Sequence, residues 1–228
     1  MNILVINGSP KKGGFTADAL DIVTSRLQSK GVESETILLA DANIRDCIGC
    51  FHCLKTGTCV LSDDMEQIIQ SMKQADGFVI ASPVRNGLTT ACYKRFYERI
   101  TYTLGFPLLL EDKYTLGISS VGYMGGKAAN KKLCGLQDVF HTRLSGFIFF
   151  SVGIPARIGR SDDKEILERA ADKLVADIKT QSPRKLFDRI SFFIDREVMR
   201  RLIFEKSPEV YANVLECWER KGYIRRGG

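Results

Sequence analysis

The chain has 228 residues, of which 44% are hydrophobic and 26% charged; these values exclude disorder and leave enough apolar matter for one proper core. Much of its net charge of +6 sits at one end, because residues 184–228 hold 11 Lys and Arg against 7 Asp and Glu. A basic tail can meet nucleic acid, acidic lipid or an acidic protein, but the simpler expectation is a solvated helix face, with neither nucleic acid nor membrane as partner.

The opening MNILVINGSP has no basic leader and no small-residue cleavage site, and reads as a first strand. The longest apolar run, around LSGFIFFSVGI, is broken by Ser and Gly and falls short of the roughly 20 residues of a membrane helix. A cytoplasmic protein is expected, whose seven cysteines stay reduced and suit metal binding or redox chemistry better than a disulfide framework.

In chain order, MNILVI predicts a strand, and FTADALDIVTSRLQSKG a helix with Ala19, Ile22, Val23 and Leu27 on one face. ESETILLA predicts the second strand. SDDMEQIIQSMKQA predicts a helix with Ser62 as N-cap and two Asp in its first turn. DGFVIASP, unbroken in its apolar stretch, predicts a strand buried on both faces. TTACYKRFYERITYTL then reads as helix, KYTLGISSVG as strand, KAANKKLCGLQDVFHTRL as helix, SGFIFFSVG as strand and SDDKEILERAADKLVADIK as helix. Five strands alternating with helices are the pattern of a doubly wound parallel α/β sheet. Ser182-Pro183 breaks it, and Leu186, Ile190, Phe193, Ile194 and Val198 mark a further amphipathic helix, with another from about Pro208.

In such a sheet the loop after the first strand is the usual phosphate site. Here it reads GSPKKGGFT: glycines for unusual backbone angles, Ser9 and Thr16 for hydroxyls, Lys11 and Lys12 for charge, and a helix pointing its amino end inward. Neither G-x-x-x-x-G-K-[ST] nor G-x-G-x-x-G is present, so a mononucleotide fits better than a hydrolysed nucleotide or a dinucleotide.

The segment RDCIGCFHCLKTGTCVLSDD places Cys47, Cys50, Cys53 and Cys59 at C-x2-C-x2-C-x5-C. Repeated two-residue gaps turn successive thiolates toward successive corners of a cubane, and with no second set of cysteines one [4Fe-4S] cluster closed by Cys59 is the simplest assignment. Zinc, which usually draws on two separated pairs, and thiols without metal are the alternatives. His52 and His141 are expected to be exposed, and Cys92, Cys134 and Cys217 to be small buried groups.

Together GSPKKGGFT, SPVRNG, SSVGYMGG and the cysteine cluster resemble the flavodoxin-like NAD(P)H-dependent flavin reductases, and among them the iron–sulfur flavoproteins of anaerobic archaea and bacteria. The resemblance spans about residues 1–180. It implies a flavodoxin-like three-layer sandwich, a five-stranded parallel sheet in the order 2-1-3-4-5 with FMN across its carboxyl edge. The FMN-binding unit would be residues 1–182, its cysteine loop residues 43–62, and residues 183–228 a C-terminal helical extension. Ser9, Lys11, Gly14, Phe15 and Thr16 would hold the phosphate. Pro83, Val84, Arg85, Asn86 and Gly87 would border the ring, with Gly122 and Gly126 in the third loop. The chain departs from the pattern at Phe15, where Asn or Ser is common, and at Arg85, where Tyr is common.

The resemblance further implies a homodimer or homotetramer in which the cysteine loop of one subunit reaches toward the flavin of another. The activity expected is that of an FMN- and cluster-containing oxidoreductase or electron carrier, with no acid–base residue invoked and an acidic donor such as ferredoxin suited to the basic surface. The alternatives are an NAD(P)H-dependent FMN or quinone reductase whose cysteines do little, and a redox-sensing interaction protein.

Overall fold

The computed structural model describes residues 1–153, 158 and 161–224. Strands β1 (Asn2–Asn7), β2 (Glu33–Leu38), β3 (Gly77–Pro83), β4 (Tyr114–Val121) and β5 (Arg143–Ser151) form one sheet in the order β2-β1-β3-β4-β5. All four pairings are parallel. The order reverses between β1 and β3, which puts a crevice beyond the carboxyl ends of those strands. β3 and β4 are buried nearly throughout, as unbroken apolar runs demand of strands covered on both faces.

One face is covered by α1 (Phe15–Ser29) and α6 (Ser161–Lys179), which pack Val23 and Leu27 with Leu167 and Leu174. Arg26 of α1 joins them at the rim with two hydrogen bonds to the Asp172 carboxylate, 2.9 and 2.7 Å. The other face is covered by α3 (Met65–Gln74), α4 (Ala91–Ile100) and α5 (Lys127–Cys134) around Met72, Tyr93, Phe96 and Phe140.

Several predicted boundaries move. The fifth helix stops at Cys134 instead of continuing to residue 144, because Gly135 and Leu136 (φ 46°) turn the chain into a loop. That loop is held from inside: the Thr142 hydroxyl is shared between the Gly135 and Leu136 carbonyls at 2.8 and 3.1 Å. His141 therefore lies in this loop and not on a helix. It is buried, contrary to expectation, with its ring edge-on to Phe192 and its pKa lowered by burial. The helix predicted to reach residue 104 ends at Ile100 and continues as a π-turn, Thr101–Gly105. A short α2 (His52–Thr56) forms inside the cysteine segment, where a plain loop was expected.

Beyond Pro183 come α7 (Leu186–Leu202), a 3-10 turn at Phe204–Lys206 and α8 (Ala212–Arg220), which begins four residues later than about Pro208. These elements form a second, smaller core: Trp218, Phe204 and Val214 close over Leu54 of α2 and Leu108. The Trp218 indole donates to the Phe106 carbonyl at 2.8 Å, and Lys221 donates to the Glu111 carboxylate at 2.8 Å. Arg184 donates to the Glu111 and His141 carbonyls and lies 4.9 Å over the Phe192 ring. The tail is thus a buttress for the cysteine segment. Replacing Trp218 by Ala is expected to cost about 3–5 kcal/mol and to speed alkylation of Cys53 in the apoprotein, measured by urea titration and by iodoacetamide mapping; an unchanged labelling rate would show that the tail does not restrain the thiols.

Candidate flavin and thiol site

Three loops meet at the crevice. In the first, the Ser9 amide donates to Asn7 Oδ1 at 2.9 Å and the Lys11 amide to Ser9 Oγ at 3.1 Å, two consecutive side-chain turns that shape the backbone before any ligand arrives. Gly14 (φ 117°) leads into α1, whose first turn has no side-chain cap, so its leading amides stay free for an anion beside the buried Thr16. Lys11 is exposed, while Lys12 is drawn to Asp41 at 2.7 Å. The Phe15 side chain is buried edge-on against Phe150 with ring centres 4.9 Å apart, so only its backbone faces the loop.

The second loop is a tight hairpin. Arg85 and Leu88 exchange backbone hydrogen bonds of 2.7 and 3.0 Å around Asn86 (φ 48°) and Gly87 (φ 81°), the two positive angles of a type I′ turn and the reason for Asn-Gly there. Val84 donates from its amide to the Ser120 carbonyl at 2.7 Å, which ties the hairpin to β4. The Arg85 side chain is exposed. In the third loop Gly122 is half-buried, and Gly126 comes so close to the second loop that a Cβ would stand 2.7 Å from Val84 Cγ1 and 2.9 Å from the Gly87 carbonyl oxygen. The residues expected to border a ring are therefore brought together.

Behind the loops lies a polar lattice that sequence reading missed. Thr90 caps α4, its hydroxyl accepting from the Tyr93 amide and donating to the Gly8 carbonyl. Ser119 donates to the Ser82 carbonyl at 2.8 Å and meets Asn130, which donates to the Gly126 carbonyl at 2.9 Å. The available signal was the polar residue at the carboxyl end of each apolar strand. The buried Thr89 hydroxyl has no partner among the described residues, just where the hairpin rejoins α4. The uncapped start of α1 after a glycine-bearing loop, at the point where the strand order reverses, fits a phosphorylated planar ligand such as FMN.

The cysteine segment leaves the carboxyl edge after β2 and runs along α4 toward its far end. Phe51 and Gly57, both with positive φ, bracket α2, and at Gly57 the place of a Cβ is taken by Asn213 of the tail, 2.8 Å away. Cys53 is pushed up to about 11, first by burial and then by the negative charge of Cys59, Cys47 and Cys50, so the four sulfurs lie within electrostatic reach of one another. Cys50 is exposed and the other three half-buried. His52 is exposed, as expected; Cys134 and Cys217 are buried and Cys92 half-buried.

One buried ion pair anchors this segment. Arg99 grips Asp63 with bonds of 2.6 and 3.0 Å, both side chains out of solvent, and also donates to the Arg45 carbonyl at 2.8 Å. Asp63 in turn accepts from the amides of Arg45 and Met65 at 2.9 and 3.1 Å. Among the described residues no three His, Cys, Asp or Glu side chains converge as a single metal ion requires. One tetrahedral zinc would draw its sulfurs to about 3.8 Å of each other, whereas a cubane spreads its ligands over a wider body. Cys47, Cys50, Cys53 and Cys59 are a thiolate set of the chemical kind that either group takes.

The sheet order and the crevice define a flavodoxin-like α/β fold. Residues 1–146 match the model of the NADPH-dependent FMN reductase family, and the chain belongs to that family; it is a flavin-dependent oxidoreductase. Within the family it is similar to the iron–sulfur flavoproteins: 27% identical to one from Archaeoglobus fulgidus over 98% of this chain and 100% of that one. With one from Methanocaldococcus jannaschii it shares 36% identity over 99 residues, 43% of this chain and about half of the relative. Among solved structures, a flavone reductase shares the fold with a TM-score of 0.65 at 14% identity, over 81% of this chain and 66% of that one. No described helix is long and apolar enough to cross a membrane.

Burial alone would raise the Asp63 carboxyl, but the Arg99 guanidinium and the Arg45 and Met65 amides outweigh it and hold the group below the usual carboxylate range. With the native pKa below the unfolded value near 3.9, this contribution is complete above about pH 4 and fades as the pH falls through the native pKa. Unfolding free energies from urea titrations between neutrality and pH 3 should therefore drop on acidification in the native chain. Asp63→Asn, which strands a buried guanidinium, should lose about 3–5 kcal/mol at neutral pH and show a flatter pH dependence; equal slopes would remove the pair from the account.

Proposed function

We propose that the chain binds FMN in the crevice and a [4Fe-4S] cluster on Cys47, Cys50, Cys53 and Cys59, and passes electrons between a small redox donor and an acceptor. The observation that carries this reading is the gathering of four thiols around a half-buried Cys53, beside the cationic Arg99, in a family that binds flavin. When bound, the flavin supplies two-electron acceptance with single-electron release, and the cluster supplies single-electron steps.

The chain's own groups would do the rest. Backbone amides of residues 14–16, with Ser9, Thr16 and Lys11, hold the phosphate, and Phe15 contributes its amide alone. Pro83, Val84, Asn86 and Gly87, with Gly122 and Gly126 of the adjoining loop, would together wall one side of the ring and exclude water from that edge. Arg85, exposed at the rim, offers a positive charge that favours an anionic reduced ring. Arg99 donates toward Cys59 and offsets thiolate charge.

Thr90 and the Arg99–Asp63 clamp stand at opposite ends of the ten-residue α4, so crevice and thiols are separated by about 15 Å along that helix. This supports an arrangement in which the cysteine segment of one copy approaches the flavin of another, in a homodimer or homotetramer. Lys11, Lys127 and Lys131 are exposed around the crevice, which suits an acidic donor of the ferredoxin kind. The rate of reduction by such a donor should fall steeply from low to high salt; a flat response would count against steering.

The competing reading is an NAD(P)H-dependent FMN or quinone reductase with no functional cluster, favoured by the lack of a single-ion site among the described residues. Anaerobic purification with flavin, iron and sulfide quantified per chain separates the two. The expected result is one FMN with four iron and four sulfide, and Cys53→Ser should abolish iron while keeping flavin. Flavin bleached rapidly by NADPH in iron-free protein would establish the competitor.

A further inference from the structure

At the amino ends of β4 and β5, a cavity of about 150 Å³ opens between the strands, the last turns of α6 and the start of α7. It lies on the opposite rim of the sheet from the flavin crevice. The eight residues of β4 separate the two by roughly 25 Å.

The walls of this cavity are unevenly charged. Arg143, Lys173, Arg184 and Lys185 line it, against Asp177 and Asp188. Asp177 is already engaged by Lys173 at 2.5 Å and by the Ser182 hydroxyl at 3.2 Å. Among the lining residues that leaves one carboxylate, Asp188, against three cations. Burial pulls the Arg184 pKa down, and the charge of Arg143 pulls it further against Glu111 and Asp188, so the two guanidinium groups lie within reach of each other's field. Part of the tail's basic charge, expected on a solvated helix face, is thus gathered here.

Two buried donors in this cavity have no partner among the described residues, Arg143 Nε and Ser145 Oγ. Ser145 is only 7% exposed. It stands at a bulge in the edge strand: Thr115 pairs with Leu144 and Leu116 with Gly146, which leaves Ser145 as the extra residue. Bulges re-aim side chains, and a buried hydroxyl without a partner is costly to keep. Arg143 is braced from behind, its Nη1 donating to the Tyr114 hydroxyl at 2.8 Å and to the Ser182 carbonyl at 3.3 Å. The Tyr114 hydroxyl donates to that same carbonyl at 3.0 Å, so the guanidinium is oriented before any ligand arrives.

Helix α7 adds its own donors. Its N-cap Lys185 and first-turn Asp188 both line the cavity, and no side chain caps it, so its leading amides stay free. A braced guanidinium, a hydroxyl, an ammonium and helix amides in one small space are the donor set of an oxyanion site. The volume is half the roughly 300 Å³ at which pockets for drug-sized molecules begin, which selects a small ion over a nucleotide.

We propose that this cavity binds a tetrahedral oxyanion, inorganic phosphate or sulfate, on Arg143, Ser145, Lys185 and the start of α7. A bound ion clips the C-terminal extension to the edge of the sheet. The proposal rests on neither the flavin nor the cluster assignment. The test is thermal unfolding and titration calorimetry of the full chain as purified, at constant ionic strength in chloride, with phosphate, sulfate and acetate added separately. Phosphate or sulfate should bind saturably and raise Tm, and acetate should not. Both anions also stabilise proteins by exclusion from the surface, so Ser145→Ala is the deciding variant. Without oxyanion it should unfold at or above the native temperature, since an unpartnered hydroxyl is gone, yet bind roughly tenfold more weakly. Lys185→Gln should weaken binding about threefold, and Asp188→Asn should tighten it by a similar factor. Lys11→Ala, in the loop after β1, should respond as the native chain does. Absence of saturable heat in the native chain, an equal response in Ser145→Ala, or a response lost with Lys11 overturns the proposal. Acetate binding as tightly as phosphate overturns the ligand class.

Discussion

The cysteine segment depends on a single buried contact, the grip of Arg99 on Asp63. Arg45 precedes the first cysteine by two residues, Asp63 follows the last by four, and both are tied to the same guanidinium. The segment therefore behaves as a closed loop with a fixed neck. Its backbone can adopt the left-handed turns at Gly49, Phe51 and Gly57 without loosening its ends. Taking two charges out of water is expensive, so the pair adds less to net stability than its short distances suggest. What it provides is geometry, since removing either partner leaves an uncompensated charge where four thiols must be held.

The closed loop needs a floor as well as a neck, and the C-terminal extension provides it. Leu54 of α2 is one of few residues in the segment that turn fully inward, and the surface it meets is made by Val214, Trp218 and Leu108. The extension is in turn fastened to the sheet's amino end through Arg184 and Glu111. Flavin crevice and thiol segment thus draw on different supports, the first on loops bonded to β3, β4 and α4, the second on α4 and the tail. Among the described residues, α4 serves both.

Much of this was legible in the sequence. Alternating apolar strands and amphipathic helices are local signals, and they yield the α/β class; the loop after β1 announced a tight strand–helix junction through its Gly and Ser, and Ser9 does shape the turn there. The contacts that organise the site are not local. Asp63 sits in a Ser-Asp-Asp run that reads as a helix start, and nothing nearby says that its carboxylate is held by an arginine 36 residues on. A hint existed: Arg99 falls on the face of α4 that also carries Tyr93, Phe96 and Ile100, where a solvated arginine has no place. The approach of Gly126 to Val84, the burial of His141 and the purpose of the tail are products of tertiary packing and leave no periodicity to read.

The dependence of α2 on α8 also orders events in time. Leu54 is synthesised about 160 residues before the helix that covers it, an interval on the order of ten to thirty seconds at ordinary rates of translation. During that interval the sheet's first strands can already form, while the thiols lack their floor. The thiols are therefore sheltered only after α8 has been made, and a product lacking that helix offers reactive sulfur without the means to shelter it.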